Sequence, residues 1–305
     1  MAANTSVPFE ALSPAEMTAK AEQVGVRKGS LTTAQMFVLA LLAGVFIGFG
    51  AIFATTAVAG ASSTLPYGIT RLVAGLAFAF GLVMVVVTGA ELFTGNTLMV
   101  VALANRKLTI GSMLKNWVVV YLGNFVGALA LAALVYGSGQ FSFGHGAIGA
   151  TALTIATAKV GLGFGQAVAL GILANILVCM AVWLSFSART TTDRVLALMP
   201  PVAAFVAAGF EHSIANMYFV PIGLLIKGGA APEFWTTIGK TPADFSGLSW
   251  RGFLVGNLLP VTLGNIIGGM LCVGLAYWFV FLRPQATPRV STARQQPDLV
   301  VVSEG

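Results

Sequence analysis

Long apolar runs alternate with short polar links along this chain, and two of the runs are interrupted at their middles by a glutamate and an asparagine. The stretch from Phe37 to Arg71 is free of charge up to its last residue and supplies a first span, since about 20 apolar residues cross a bilayer core as a helix. Leu72–Ala90 leads into the first interruption and Thr97–Asn105 leaves it. Asn116–Tyr136 and Val160–Phe186 follow unbroken. Val195–Phe210 leads into the second interruption, Ser213–Ile226 leaves it, and Gly252–Leu282 closes the series. Counting each interrupted pair once, the pattern predicts an all-α membrane protein of six transmembrane helices in two halves of three, with helices 2 and 5 broken.

Ahead of the spans, Ser13-Pro14-Ala15-Glu16 opens an alanine-rich stretch. Serine caps a helix, proline suits its first turn and glutamate reaches back to the cap amide, so a short helix is expected over roughly Pro14–Val24. Residues 1–33 then form a cytoplasmic lead-in, 34–283 the channel-like membrane domain, and 284–305 a tail rich in Pro, Gln, Ser and Thr that reads as disordered. Lys227–Trp250 reads as a long external loop. Pro200-Pro201 is expected to disturb the hydrogen-bond ladder of the fifth span.

The two interruptions spell Gly89-Ala90-Glu91-Leu92-Phe93-Thr94-Gly95-Asn96 and Gly209-Phe210-Glu211-His212-Ser213-Ile214-Ala215-Asn216, both Gly-x-Glu-x-x-x-x-Asn. A charged side chain in an apolar span costs about 2.5–3.5 kcal/mol on insertion scales. Bearing that cost at matching places in both halves points to inverted repeats whose broken helices meet near the bilayer midplane. The repeat extends to the third and sixth spans, where Gly123-Asn124-Phe125-Val126-Gly127 parallels Gly264-Asn265-Ile266-Ile267-Gly268. Small residues at this spacing permit close helix contact. Asn124 is read as packing; Asn265 either packs or points into a pore.

Composition agrees, at 57% hydrophobic and 9% charged residues with a mean hydropathy of +0.90, and excludes an ordinary soluble domain. The net charge of +6 reads as topology. With both termini on one side, that side holds all Lys and Arg except Arg71, Lys159, Lys227, Lys240 and Arg251, which places the termini in the cytoplasm. Nothing suggests nucleic-acid binding. Cys179 and Cys272 both lie in apolar runs and are read as small buried residues. No nucleotide loop, nucleophile triad or metal-ligand cluster appears, so neither an enzyme nor a cofactor is expected.

The candidate chemistry sits in the interruptions. A half-helix N-terminus suits a small anion, and Glu91 or Glu211 would cancel that if it faced a pore. Both are therefore expected to accept loop amides and pin the breaks. His212 lies in a break, where an imidazole exchanges a proton near neutral pH, and is assigned to the pore. Thr94 supplies a hydroxyl that donates or accepts. Lys159, at the outer mouth of the fourth span, is either an anion-attracting cation or a snorkelling interfacial lysine. Phe78 and Leu82 share a helical face, Phe93 lies in the first break, and Phe205 precedes His212 by two turns; such side chains can form dry constrictions.

These motifs, with Gly171-Ile172-Leu173-Ala174-Asn175, Pro232-Glu233-Phe234-Trp235 and the run from Pro260 to Gly269, resemble the signatures of the formate/nitrite transporter family, nearest its formate-channel branch. The likeness extends from Pro8 to about Leu282. Only Gly95-Asn96 departs from the pattern expected in that branch after Thr94. The resemblance implies an aquaporin-like fold in a homopentamer of the inner membrane, with one pore per protomer for formate or related small monovalent anions, passing in part as formic acid, and with pH-dependent gating. Nitrite or hydrosulfide is the alternative substrate, and a neutral-solute pore a more distant one. It further implies that Thr94, His212 and Asn265 line a central chamber and that Lys159 serves the outer vestibule. Phe78, Leu82 and Phe205 would form the cytoplasmic constriction and Phe93 the periplasmic one.

Overall fold

The computed structural model describes residues 11–61 and 64–283, so the tail at 284–305 lies outside the described residues; what is described is helical, with no strand among the described residues. Helix α1 (Pro14–Gly29) begins as the sequence suggests, with the Ser13 amide donating to the Glu16 carboxylate at 2.7 Å and Ser13 Oγ accepting from the Glu16 amide. It runs on past Val24. Its last turn is held by the body of the protein, where Ser112 Oγ donates to the Gly29 carbonyl and Asn116 Nδ2 to that of Lys28.

The first three spans are α2 (Thr33–Ala57), α3 (Tyr67–Thr88) with its continuation beyond the break, and α6 (Ile110–Gly137). The continuation is segmented into α4 (Phe93–Asn96), a tight turn at Thr97–Met99 and α5 (Val100–Ala104). A helix that the apolar pattern does not announce, α7 (Ala147–Val160), then precedes the fourth span α8 (Phe164–Ser185). Lys159 therefore ends α7 instead of opening the fourth span. The fifth span is α9 (Thr191–Ala207), a break, and α10 (Ser213–Gly229). Pro200 and Pro201 sit inside α9 without ending it.

The expected loop at 227–250 is ordered by α11 (Pro232–Ile238), turned 112° from α10, and by a short turn at Pro242–Phe245. Burial of Phe234, Trp235 and Leu248 anchors it. The sixth span alternates in pitch, with wide π-type turns at Gly252–Leu258 and Gly268–Leu275 around α12 (Leu259–Ile267), and ends as α13 (Ala276–Phe281). Cys179 is buried as expected; Cys272 is exposed, contrary to the buried reading, because it lies on the outer face of that widened span.

Three crossings per half make the second half enter from the opposite face, and the packing repeats accordingly. A Cβ on Gly127 would lie 2.1 Å from the Leu41 carbonyl, and one on Gly268 would lie 2.3 Å from that of Ile172. The third and sixth spans can approach the first and fourth only because these positions lack side chains.

Candidate functional site

Each broken span ends its first segment on a glycine in the left-handed region, Gly89 at φ 78° and Gly209 at φ 79°, a conformation that costs a side-chain-bearing residue energy. The chain then runs extended for a few residues, and its amides need partners because none lies within a helix. The Glu91 amide donates to the Leu39 carbonyl and the Glu211 amide to that of Leu170, each at 3.2 Å. Asn124 completes the first break, its Oδ1 accepting from the Phe93 amide (3.0 Å) while Nδ2 donates to the carbonyls of Ala40 and Glu91. Asn265 does the same for the second, accepting from the Ser213 amide (2.9 Å) and donating to the carbonyls of Gly171 and Glu211. Both side chains are fully buried. Asn265, left open between packing and pore, thus spends its amide as Asn124 does.

The glutamates pin the breaks, but through side chains and not through the loop amides expected of them. Glu91 accepts from Lys28 Nζ on α1 and from Asn96 Nδ2, both at 2.7 Å. Glu211 accepts from Lys159 Nζ on α7 at 2.9 Å and from Asn216 Nδ2 at 2.7 Å. Asn96 also donates to Asn116, and Asn216 to Asn257, while Asn116 and Asn257 donate to the backbone carbonyls of Lys28 and Lys159. Helix α1 therefore stands to the first break as α7 stands to the second. The amide partners and the lysine cations explain how two carboxylates, each only 4–5% exposed, stay in this interior: a buried charge needs both a counter-charge and hydrogen bonds. Lys159 is consequently neither a free cation nor a snorkelling one. It is ion-paired, and its Nζ also lies 5.3 Å from the centre of the Phe219 ring.

The two breaks meet through Thr94 and His212, with Thr94 Oγ1 and His212 Nε2 2.9 Å apart and both residues buried. His212 is also the N-cap of α10, its Nδ1 accepting from the Ala215 amide at 3.1 Å. With an amide hydrogen directed at Nδ1, the single proton of a neutral imidazole resides on Nε2. It is donated to Thr94 Oγ1, which leaves the threonine hydroxyl hydrogen for another acceptor.

Aromatic side chains flank this pair. Phe205 stacks on His212 (5.8 Å between centres) and meets Phe78 edge-on (5.8 Å), and Phe78 in turn stacks on Phe219 beneath Lys159. Leu82, one turn on from Phe78, lines a cavity of about 450 Å³ between α1 and the first break. Phe78 and Phe205 thus sit with Phe219 near Lys159 of α7, while Leu82 lines the cavity beside α1. Phe93 packs between Trp117 (6.0 Å) and Tyr121 (4.9 Å) of α6.

The family model for formate/nitrite transporters matches residues 15–279. The chain belongs to the formate/nitrite transporter family. It is 48% identical over 276 residues to the formate channel FocA of Escherichia coli K12, covering 90% of this chain and 96% of that protein. The FocA of Haemophilus influenzae is 43% identical over 272 residues, covering 89% and 95%. Among solved structures, a pentameric formate channel with formate bound matches with a TM-score of 0.79 at 45% identity, over 82% of this chain and 98% of that one.

In this member of the formate/nitrite transporter family, the structure gives roles to residues that carry none in the sequence pattern. Asn96, Asn116, Asn216 and Asn257 complete the glutamate networks. Arg71, an isolated cation where α3 starts, donates to the Val206 and Ala207 carbonyls left open where α9 stops. Asn175 ties the halves together by donating to the Thr94 carbonyl (3.3 Å) and the Asn265 carbonyl (2.6 Å). A lone arginine beside a charge-free run was the visible signal for Arg71, and the repeat itself was the signal for the asparagines.

Proposed function

We propose that this protein is a channel for small monovalent anions, chiefly formate, that acts as a homopentamer with a separate pore in each protomer. Both termini face the cytoplasm of a bacterial inner membrane, and the α7 face is outward. The carrying observation is the Thr94–His212 pair, a polar contact between the two breaks on which Phe205 stacks with Phe78 behind it, while Leu82 lines the cavity beside α1. In a chain so close to formate channels, a carboxylate-sized acceptor is the natural partner of the Thr94 hydroxyl.

The sequence of events follows from those groups. A carboxylic acid with a pKa near ~4 is almost wholly ionised at neutral pH, so the aromatic constriction opposes the charged form. At the pair, formate accepts from the Thr94 hydroxyl while His212 Nε2–H polarises that hydroxyl. One proton taken up from bulk water per formate closes the balance: the Thr94 hydroxyl gives its proton to formate, His212 Nε2–H restores the hydroxyl, and the bulk proton restores His212. Neutral formic acid then crosses the remaining apolar constriction without the charge penalty, and the pair ends as it began. The Lys159–Glu211 and Lys28–Glu91 pairs hold the two breaks rigid around this event, and Asn124 and Asn265 fix the loops that present the pair.

Radiolabelled formate flux into proteoliposomes at several pH values tests the reading, with nitrite, hydrosulfide and glycerol run alongside. Rapid formate flux that rises with the fraction of formic acid or of protonated protein is expected. Glycerol or nitrite outrunning formate would overturn the substrate, and pH-independent flux with one charge moved per formate would overturn the neutral-acid step.

A further inference from the structure

The cavity beneath α1 carries an excess of positive charge that the conduction of a one-carbon monoanion does not use. Its charged lining consists of Lys20, Arg27 and Lys28 from α1, Arg194 from α9, and Glu91 from the break. Lys28 is matched by Glu91. Lys20, Arg27 and Arg194 make no ion pair among the described residues. Three unmatched cations thus face one space of about 450 Å³ from two walls, Lys20 and Arg27 on one and Arg194 on the other. Like charges gathered around a partly enclosed, low-dielectric space raise the local potential and gather counter-ions. A monoanion neutralises one of the three. An anion with two or three charged groups reaches both walls at once, and guanidinium groups on opposite walls take carboxylate or phosphate oxygens in forked pairs.

The cavity is lined toward the protein's interior by the buried Leu82 and by the tightly bonded first break. A multiply charged anion that enters has no route onward, because losing two or three charges to desolvation is far costlier than losing one. We infer that the α1-side cavity is a binding site for a compact multivalent oxyanion, a polycarboxylate or a phosphate, which spans α1 and α9 and plugs the pore from that side. This rests on the reading of the central path as the formate pore. It gives the protein a brake set by the concentration of multivalent metabolite anions, one that formate itself does not trigger.

The test uses the full chain in vesicles of zwitterionic lipid only, so that no anionic headgroup competes for the cavity. Initial formate uptake is measured with citrate, inorganic phosphate or acetate on both sides, at fixed pH and equal ionic strength. Uptake is expected to fall severalfold with citrate or phosphate relative to acetate, and the stronger of the two identifies the preferred chemistry. The triple variant Lys20→Gln, Arg27→Gln, Arg194→Gln, read as the ratio of its own rates with and without the multivalent anion, is expected to lose that fall. Calorimetric titration of citrate into the purified protein supplies a readout independent of flux, with binding expected for the natural chain and absent in the triple variant. Equal slowing by acetate and citrate, a block that survives in the triple variant, or no citrate heat with the natural chain would each overturn the site. Absence of formate uptake in the acetate control would instead overturn the formate reading, and calorimetry would still decide whether the anion binds.

Discussion

His212 has two jobs in this structure, and two substitutions separate them. Through Nδ1 it caps α10, and through Nε2 it engages Thr94. Replacement by alanine removes the cap acceptor, worth about 1 kcal/mol, and the bond to Thr94, worth about 1 kcal/mol net. The His212→Ala protein is therefore expected to be about 2 kcal/mol less stable than the natural chain. Asparagine is among the best N-cap residues and its carbonyl oxygen accepts where Nδ1 did, so His212→Asn is expected to recover about half of that loss. Its amide exchanges no proton in the physiological range, so it recovers none of the chemistry. The assays are thermal unfolding in detergent and formate uptake across a pH series. Thermal stability should rank natural chain, asparagine, alanine, whereas the pH response of uptake should vanish in both variants. Equal stability of the two variants would refute the capping role. An unchanged pH profile in His212→Asn would refute the proton role, however slow the alanine protein proves.

Further outcomes follow from the duplicated networks. Asn124→Ala and Asn265→Ala each strand a buried amide and two carbonyls, at about 1–3 kcal/mol for the amide alone, so both should lower the unfolding temperature by similar amounts; an Asn265→Ala protein as stable as the natural chain would return that residue to the pore. Lys28→Met leaves the Glu91 carboxylate buried without its cation and should cost about 3–5 kcal/mol, while Lys28→Met with Glu91→Gln should regain most of it; additive losses in the double-mutant cycle would show that the pair is uncoupled. Hydrogen bonds from Ser13 hold the exposed Glu16 carboxyl below its ordinary value of 4.5, so the stabilisation it gives α1 is fully present above that value and is lost as pH falls through the lower, folded-state value. Hydrogen exchange in the first turn of α1 should accelerate over that acidic window in the natural chain and be faster already at neutral pH in Glu16→Ala; equal rates in the two proteins at neutral pH would refute the capping box.

The spans were legible because hydropathy acts over 20 residues at a time, and the breaks because a glutamate in such a run demands a reason. Helix α7 was not, since its Ala-, Thr- and Gly-rich sequence is neither long nor apolar enough to stand out. Only the repeat, with α1 ahead of the first span, would have called for a counterpart ahead of the fourth. The partner of Lys159 was hidden for the same reason, since the pair joins α7 to a break 52 positions away. Phe78 and Leu82 share a helical face, and it is the family resemblance that implies one common constriction for them. One helical turn separates them by about 5.4 Å, and Phe78 meets Phe205 and Phe219 while Leu82 lines the cavity beside α1.

What the repeat copies and what it does not copy divides scaffold from chemistry. The left-handed glycine, the buried glutamate, its lysine and its asparagines all occur twice, and so do the pinning residues Asn124 and Asn265. A feature needed once for each break is architecture. The residue after each glutamate, which caps the following half-helix, is Leu92 in the first break and His212 in the second. A leucine at that position serves packing as well as a histidine and makes no side-chain cap, so symmetry gives no structural reason for the imidazole. Its hydrogen bond runs to Thr94, whose counterpart in the second break is Ile214. The two polar groups that touch across the midplane are thus the two that the repeat fails to duplicate, which is where a pore that must handle one proton and one small anion would be expected to depart from its own symmetry.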